Sequence, residues 1–257
     1  MNSPHIRRVA LASFLKHCPQ VTTLGVRPGL ADYQPWERDL LARAERIFYP
    51  TRRFVHALDA AGKFTFPSAA SYQYRASRLS QLSLLAYLDL PVPRTRSYYG
   101  HRQKALILQD FELPLVAMSP LAVPRCEWVI ATQTELWSRA ALYNPVIIQE
   151  YLPLARRVRL VCINYQCLGA LESPGNGGRH GPDTPVDLHH PDLEAILGAT
   201  LRLLRVSRLD DIAVEWGYGN KKWWVLGMSA PPARIATLSG AIHRHRHVGQ
   251  LIAAGIL

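Results

Sequence analysis

Lysine, acid and cysteine are all scarce in this 257-residue chain. The only lysines are Lys16, Lys63, Lys104, Lys221 and Lys222, so nearly all of the 30 basic residues are arginine, against 19 acidic ones. The resulting charge of +11 favours anionic partners such as nucleotides, nucleic acid or phosphorylated and polycarboxylate molecules, without choosing among them. A plainly solvated basic surface gives the same balance. The four cysteines, Cys18, Cys126, Cys162 and Cys167, are too few for a disulfide framework, and no Cys-x-x-Cys occurs. Cys162 and Cys167 would face each other across a hairpin, but buried thiols are the expectation, with the cytoplasm as compartment. No apolar run approaches the ~18 residues of a membrane span, so no membrane partner is expected. Arg7 and Arg8 precede the short run VALASFL, read as an opening strand or helix rather than a signal peptide. Internal repeats, a Walker loop, Gly-x-Ser-x-Gly, His-Glu-x-x-His and a dinucleotide fingerprint are all missing.

What is present alternates short apolar runs with helical periods. Residues 7–14 and 20–26 predict a small βα start. WERDLLARAERIF places Trp36, Leu40, Leu41, Ala44, Ile47 and Phe48 on one helical face. Thr51 is positioned to cap a helix carrying Phe54, Val55 and Leu58, with Gly62 ending it, and KFTFPS is an extended link. YRASRLSQLSLLAYL predicts a helix with Leu79, Leu82, Leu85 and Ala86 inward, stopped by Pro91 and Pro93. Strands are expected at 114–118, 127–131 and 145–152. Thr132 and Glu135 form a capping box for the helix QTELWSRAAL. RVRLVCI and QCLGALE read as a hairpin around Asn164-Tyr165, and 173–186 as a loop. A helix with Leu193, Ile196, Leu197, Thr200 and Leu204 inward follows. DIAVEW and KWWVLGM then pair around GYGNK, and a helix near 241–254 closes the chain. The class is α+β: antiparallel sheets against helices.

Five blocks resemble one superfamily in order and spacing. They are SRLSQLSLLAYLDLPVPRTR, FELPLVAM, VIIQEYLP, ARRVRLVCINYQCLGAL and LDDIAVEWGYGNKKWWVLGMSAPP. Together they are similar to ATP-grasp proteins of the RimK-like kind, relatives of glutamate ligases, glutathione synthetases and D-alanine ligases. The resemblance implies a small α/β lead-in over 1–75, then an ATP-grasp domain over 76–257 whose two α+β lobes meet at a hinge near 145–153. It also implies ATP and Mg²⁺ as cofactors, and carboxylate–amine ligation through an acylphosphate, with catalysis by positioning and electrostatics.

Carried onto this sequence, the resemblance places the hinge at Gln149, Glu150, Tyr151 and Leu152, where adenine is read mainly by backbone. The first phosphate lysine falls at Arg78, read either as a retained phosphate contact or as a surface arginine. Arg159 matches the arginine facing the transferred group. Glu215 matches the first metal carboxylate. The remaining positions depart. Met118 stands where the second lysine belongs, Gly227 and Ser229 where two further metal ligands belong, and the glycine-rich phosphate loop is Ser119-Pro-Leu-Ala-Val-Pro-Arg125, with two prolines and no glycine. Asp210 reads as a turn residue. Arg78, Arg125 and Lys104 are the cations that would have to replace the missing lysine.

The expectation is therefore a degenerate member without ordinary turnover that binds a nucleotide or other anionic small molecule, or a protein partner such as an active paralogue. The alternatives are an active ligase and an arginine-based nucleic-acid binder. His243, His245 and His247 would share a strand face and offer metal ligands, or line a solvated helix face. Trp216, Trp223 and Trp224 beside Lys221 and Lys222 read as hairpin core packing rather than a base-stacking platform.

Overall fold

The computed structural model describes residues 8–123, 126–175 and 183–257. The chain opens with four short strands, β1 (Arg8–Ala10), β2 (Thr22–Thr23), β3 (Arg46–Phe48) and β4 (Phe64–Phe66), in a parallel sheet of order β2-β1-β3-β4. Helices α1 (Pro35–Arg43) and α2 (Arg52–Ala60) make the crossovers. The expected helix through Phe48 stops at Arg43. Ile47 and Phe48 instead lie fully buried on β3, and Trp36 faces solvent. A three-residue apolar run fits helix and strand alike, and pairing inside a sheet covered on both faces decides for strand. KFTFPS supplies the edge strand β4 rather than a free link, and Ser13–Leu15 is a single 3₁₀ turn.

The expected helix over YRASRLSQLSLLAYL is two helices, α3 (Ala69–Ala76) and α4 (Arg78–Tyr87). Ser77 breaks it in extended conformation, and its hydroxyl accepts the Ser80 N–H as a cap. The inward face of α4 also differs: Arg78, Gln81 and Leu85 are buried, while Ala86 is exposed. A polar pair therefore occupies the side where an apolar stripe was expected.

Next come β5 (Thr95–Tyr98), α5 (Gly100–Lys104), α6 (Ile107–Asp110), β6 (Leu115–Met118), β7 (Glu127–Ile130), α7 (Gln133–Ala140) and β8 (Val146–Glu150). The strands form an antiparallel sheet of order β5-β8-β6-β7. Tyr98, Ile107, Leu115, Leu136, Val146 and Ile148 fill the core of this small lobe. The capping box forms on α7: the Thr132 hydroxyl accepts the Glu135 N–H, and the Glu135 carboxylate accepts the Thr132 and Ala131 N–H groups.

The large lobe is the antiparallel sheet β11-β10-β9-β12-β13, made from β9 (Arg156–Ile163), β10 (Gln166–Pro174), β11 (Thr184–Val186), β12 (Asp211–Gly219) and β13 (Lys222–Ser229). β11 lies inside the expected loop 173–186, and residues 176–182 of that loop lie outside the described residues. Strand alternation sends Val158, Leu160, Ile212, Val214 and Trp216 to one face, where α8 (Glu194–Ser207) covers them with Ile196, Leu203 and Leu204. The opposite face is divided. Val161, Ile163 and Ala213 pack on Phe48 and Phe66 of the opening sheet and on Val248 and Leu251. Farther along, the same face carries Arg157, Arg159 and Glu215, which line an open cleft.

The hairpin β14 (Arg234–Thr237) and β15 (Gly240–His243) precedes α9 (Arg244–Ala253), so residues 240–243 are strand rather than the start of the last helix. Cys162 and Cys167 are direct cross-strand partners, with Cα atoms 4.1 Å apart, and their sulfurs are joined in a disulfide instead of remaining buried thiols. The positive-φ turn Asn164-Tyr165 brings them together.

A buried ion cluster ties these parts. The Asp211 carboxylate is fully buried. It accepts Arg244 Nε at 2.9 Å, a second bond from Arg244 Nη2, and Arg75 Nη1 at 3.0 Å. Asp210 accepts the Ser68 N–H and the Ser71 hydroxyl at 2.8 and 2.9 Å. It is thus a buried clamp on the start of α3 rather than a turn residue. Among the described residues, no helix is long and apolar enough to cross a membrane.

Candidate functional site

A cleft of about 560 Å³ lies between the two lobes, within the ~300–1,000 Å³ usual for small-molecule sites. The end of β8 and the residues after it supply one wall: Gln149, Glu150, Tyr151 and Leu152. Val116, Glu127 and Trp128 come from the small lobe, and Arg157, Arg159, Glu215, Leu226 and Asp183 from the large one. The connecting segment is fixed to the large lobe at close range. Ala155 N–H donates to Tyr218 O at 2.8 Å, and a Cβ on Gly219 would come within 2.8 Å of Pro153 O. A Cβ on Gly175 would overlap the Leu154 carbonyl.

The hinge side chains hold their own sheet. Gln149 Nε2 donates to Thr95 Oγ1 at 2.9 Å, and the Glu150 carboxylate accepts the Arg94 N–H at 2.7 Å. On the large lobe, β9 alternation puts Arg157 and Arg159 on one face, and both lie about one-third exposed toward the cleft. Arg157 pairs with Glu215 at 3.4 Å, and Arg159 with Asp183 at 2.9 Å. Glu215 is itself opposite Arg159 in the β9–β12 register, so three charged groups share one patch of sheet.

Beside the cleft is a smaller cavity of about 40 Å³, room for a few waters. It gathers Arg78, Met118, Gly227 and Ser229 with Gln81 and Gln149. Positions that the sequence resemblance picked out from separate segments are thus neighbours in space. Arg78 is buried and pairs with Glu127 of β7 at 2.9 Å. Gln81 donates to the Tyr74 and Met228 carbonyls at 2.5 and 2.9 Å and accepts the Met228 N–H at 3.0 Å. It thus pairs with both backbone groups of Met228 on the outer edge of β13, next to the bulge that follows the Glu215–Gly227 pair.

These residues do not fit a Mg²⁺ site. That ion takes oxygen ligands in a near-octahedral set. The groups available here are the carboxylates of Glu215 and Glu127, each already paired with a guanidinium, the Ser229 hydroxyl, and Gly227, which has no side chain. Among the described residues no three His, Cys, Asp or Glu side chains gather into a metal-binding group. The histidines illustrate this. His243 ends β15, while His245 lies in the first turn of α9 and stacks on Phe14 at 4.1 Å, so they do not share a strand face. Burial and the neighbouring Arg244 hold His245 below its ordinary pKa, and burial does the same to His247.

The other candidate cations go elsewhere. Lys104 Nζ donates to the Ala140 and Tyr143 carbonyls behind α7, and Arg125 lies outside the described residues. Trp216 is a core residue whose indole N–H donates to Thr200 Oγ1. Trp223 packs under Arg156, and Trp224 under Lys222. Sequence reasoning missed Glu127, Gln81, Arg157 and Asp183 as site residues. The acid that meets Arg78 comes from a strand 49 positions away, and no local pattern marks it.

No family model and no curated protein matches the chain. Solved structures do. D-alanine–D-alanine ligase from Bacillus anthracis, solved with ATP, is 12% identical with a TM-score of 0.65, over 97% of this chain and 92% of that one. A RimK domain ATP-grasp protein from Sphaerobacter thermophilus is 17% identical with a TM-score of 0.62, over 87% and 90%. N5-carboxyaminoimidazole ribonucleotide synthetase from Thermus thermophilus is 15% identical with a TM-score of 0.62 over 87% of this chain. This chain covers 64% of that enzyme, less than two thirds of its length.

Proposed function

We propose that this chain, which has the ATP-grasp fold, is a degenerate RimK-like member that binds an anionic, nucleotide-sized ligand in its interlobe cleft without ligase turnover. The observation that carries this reading is the state of the phosphate end. Met118 is uncharged, Arg78 is paired with Glu127, and Glu215 is paired with Arg157. Phosphoryl transfer relies on cations and metal placed around the moving charge, and these residues supply neither. The cleft itself persists, with the hinge on one side and two partly exposed guanidiniums on the other. Arginine pairs well with carboxylate or phosphate, so Arg159 and Arg157 are the anion contacts of this reading. Gln149 to Leu152 form the wall against which a flat base would lie.

Isothermal titration with ATP, with and without Mg²⁺, tests the reading together with a phosphate-release assay. The expected result is binding that Mg²⁺ does not strengthen, weakened by Arg159→Ala, with no phosphate released in the presence of amino-acid acceptors. Phosphate release above background overturns it. The second reading, an active ligase, draws on Glu215 and Arg159 facing one cleft. It requires Glu215→Ala to abolish that release.

A further inference from the structure

Glu127 lines both the interlobe cleft and the small cavity that holds Arg78. With Gln149 and Leu226 it forms the wall between them, and its carboxylate sits on the Arg78 guanidinium at 2.9 Å. We infer that Glu127 is a built-in anion that occupies Arg78 and closes the phosphate end of the cleft against polyphosphates. The inference deepens the proposal above and rests on the cleft being the ligand site.

Three further contacts hold the closure in place. Arg78 N–H donates to Pro120 O at 3.0 Å, and Ala122 N–H to Ala76 O at 3.0 Å. Between these bonds Ser77 and Leu121 form an antiparallel bridge. The segment after β6 is therefore bound, strand-fashion, to the junction of α3 and α4. The Ser119 hydroxyl, donating to Leu121 O at 2.6 Å, tightens its turn. A segment held this way has its backbone groups directed at protein instead of toward a bound phosphate chain. Arg78 is 7% exposed, so an anion reaches it only by displacing Glu127. The internal carboxylate has the advantage of being already positioned, whereas a diffusing anion loses translational freedom on binding.

The experiment is a titration with inorganic pyrophosphate, which has no base and so does not depend on the hinge. Wild type, Glu127→Ala, Glu127→Gln and the double variant Glu127→Ala/Arg78→Gln are compared. Glu127→Ala removes both the charge and the wall, while Glu127→Gln keeps the wall and guards against a folding defect. The expected result is about a tenfold or greater gain in pyrophosphate affinity for Glu127→Ala, a smaller gain for Glu127→Gln, and loss of the gain in the double variant. Two outcomes overturn the inference: no gain in either Glu127 variant, or a gain that survives Arg78→Gln. Failure of the wild type to bind ATP bears instead on the cleft as a nucleotide site, and leaves the pyrophosphate ratio readable.

Discussion

Replacing Asp211 by asparagine should be among the most damaging single changes in the molecule. Its carboxylate is wholly buried and is held by two guanidiniums, one from α9 and one from α3. Arg244 and Arg75 have side chains only 10% and 12% exposed, so neither can turn to water when its partner goes. Adding the bonds separately, at ~1.5–3 kcal/mol for each charge-assisted one, overstates the loss because the charges were desolvated to make them. The relevant figure is the cost of leaving buried charge uncompensated, about 3–5 kcal/mol. With a urea slope of ~2–3 kcal/mol per molar, the midpoint should fall by roughly 1–2 M. A double-mutant cycle with Arg244→Ala sharpens the test, because that loss should be much smaller once Asp211 is gone. A cost under about 1 kcal/mol for Asp211→Asn, or strict additivity in the cycle, would refute the argument that this cluster binds α3, β12 and α9 together.

Three further predictions concern neighbouring features. Burial, with the adjacent Asp211 adding to it, raises the Asp210 carboxyl from 3.8 to about 6 against the pull of its Ser68 and Ser71 donors. The folded chain therefore holds this proton more tightly than the unfolded one. The stability it contributes is full below pH ~4 and is lost as pH rises through ~6, by about 3 kcal/mol. Asp210→Asn should flatten that slope in urea midpoints taken from pH 4 to 7, and an unchanged slope contradicts the assignment. Gln81→Ala strips partners from the buried Met228 N–H and carbonyl and should cost about 2–4 kcal/mol in a chemical melt; a loss within error rules out this role. Gly219→Ala drives a Cβ against Pro153 O and should cost ~1–3 kcal/mol while speeding hydrogen exchange at the Ala155 N–H; unaltered exchange there means the hinge segment is not braced by β12.

Much of the framework was legible because its signals are local. The capping box at Thr132 and Glu135, the Asn164-Tyr165 turn, the pairing of β12 with β13, and the inward face of α8 each depend on residues within a few positions of one another. The hinge strand falls where its β-rich composition put it. What sequence could not provide was partner choice over long separations. Arg78 meets Glu127, Arg157 meets Glu215, and Gln81 meets Met228, each across 49 to 147 positions. Periodicity also failed where two solutions share one pattern. Ile47 and Phe48 satisfy a helical face as well as a strand, and α4 turns Arg78 and Gln81 inward because their partners, the Glu127 carboxylate and the Met228 backbone, lie on that side. The Cys162–Cys167 pair was visible as a hairpin juxtaposition, but only the register shows the two side chains on the same side.

The core shared by the opening sheet and the far end of the chain has a kinetic consequence. Ala10, Phe48 and Phe66 find their packing partners in Val161, Ile163, Ala213, Val248 and Leu251. During synthesis, residues 8–66 therefore emerge with an apolar face whose cover is still untranslated for some 100 to 180 further residues. Contacts of such long sequence separation slow folding, and exposed parallel strands invite association while they wait. The opening segment should thus remain dependent on chaperones or on speed until α9 leaves the ribosome. Nascent chains arrested before residue 240 should be digested by protease through the first 66 residues, and chains arrested well beyond 257 should resist.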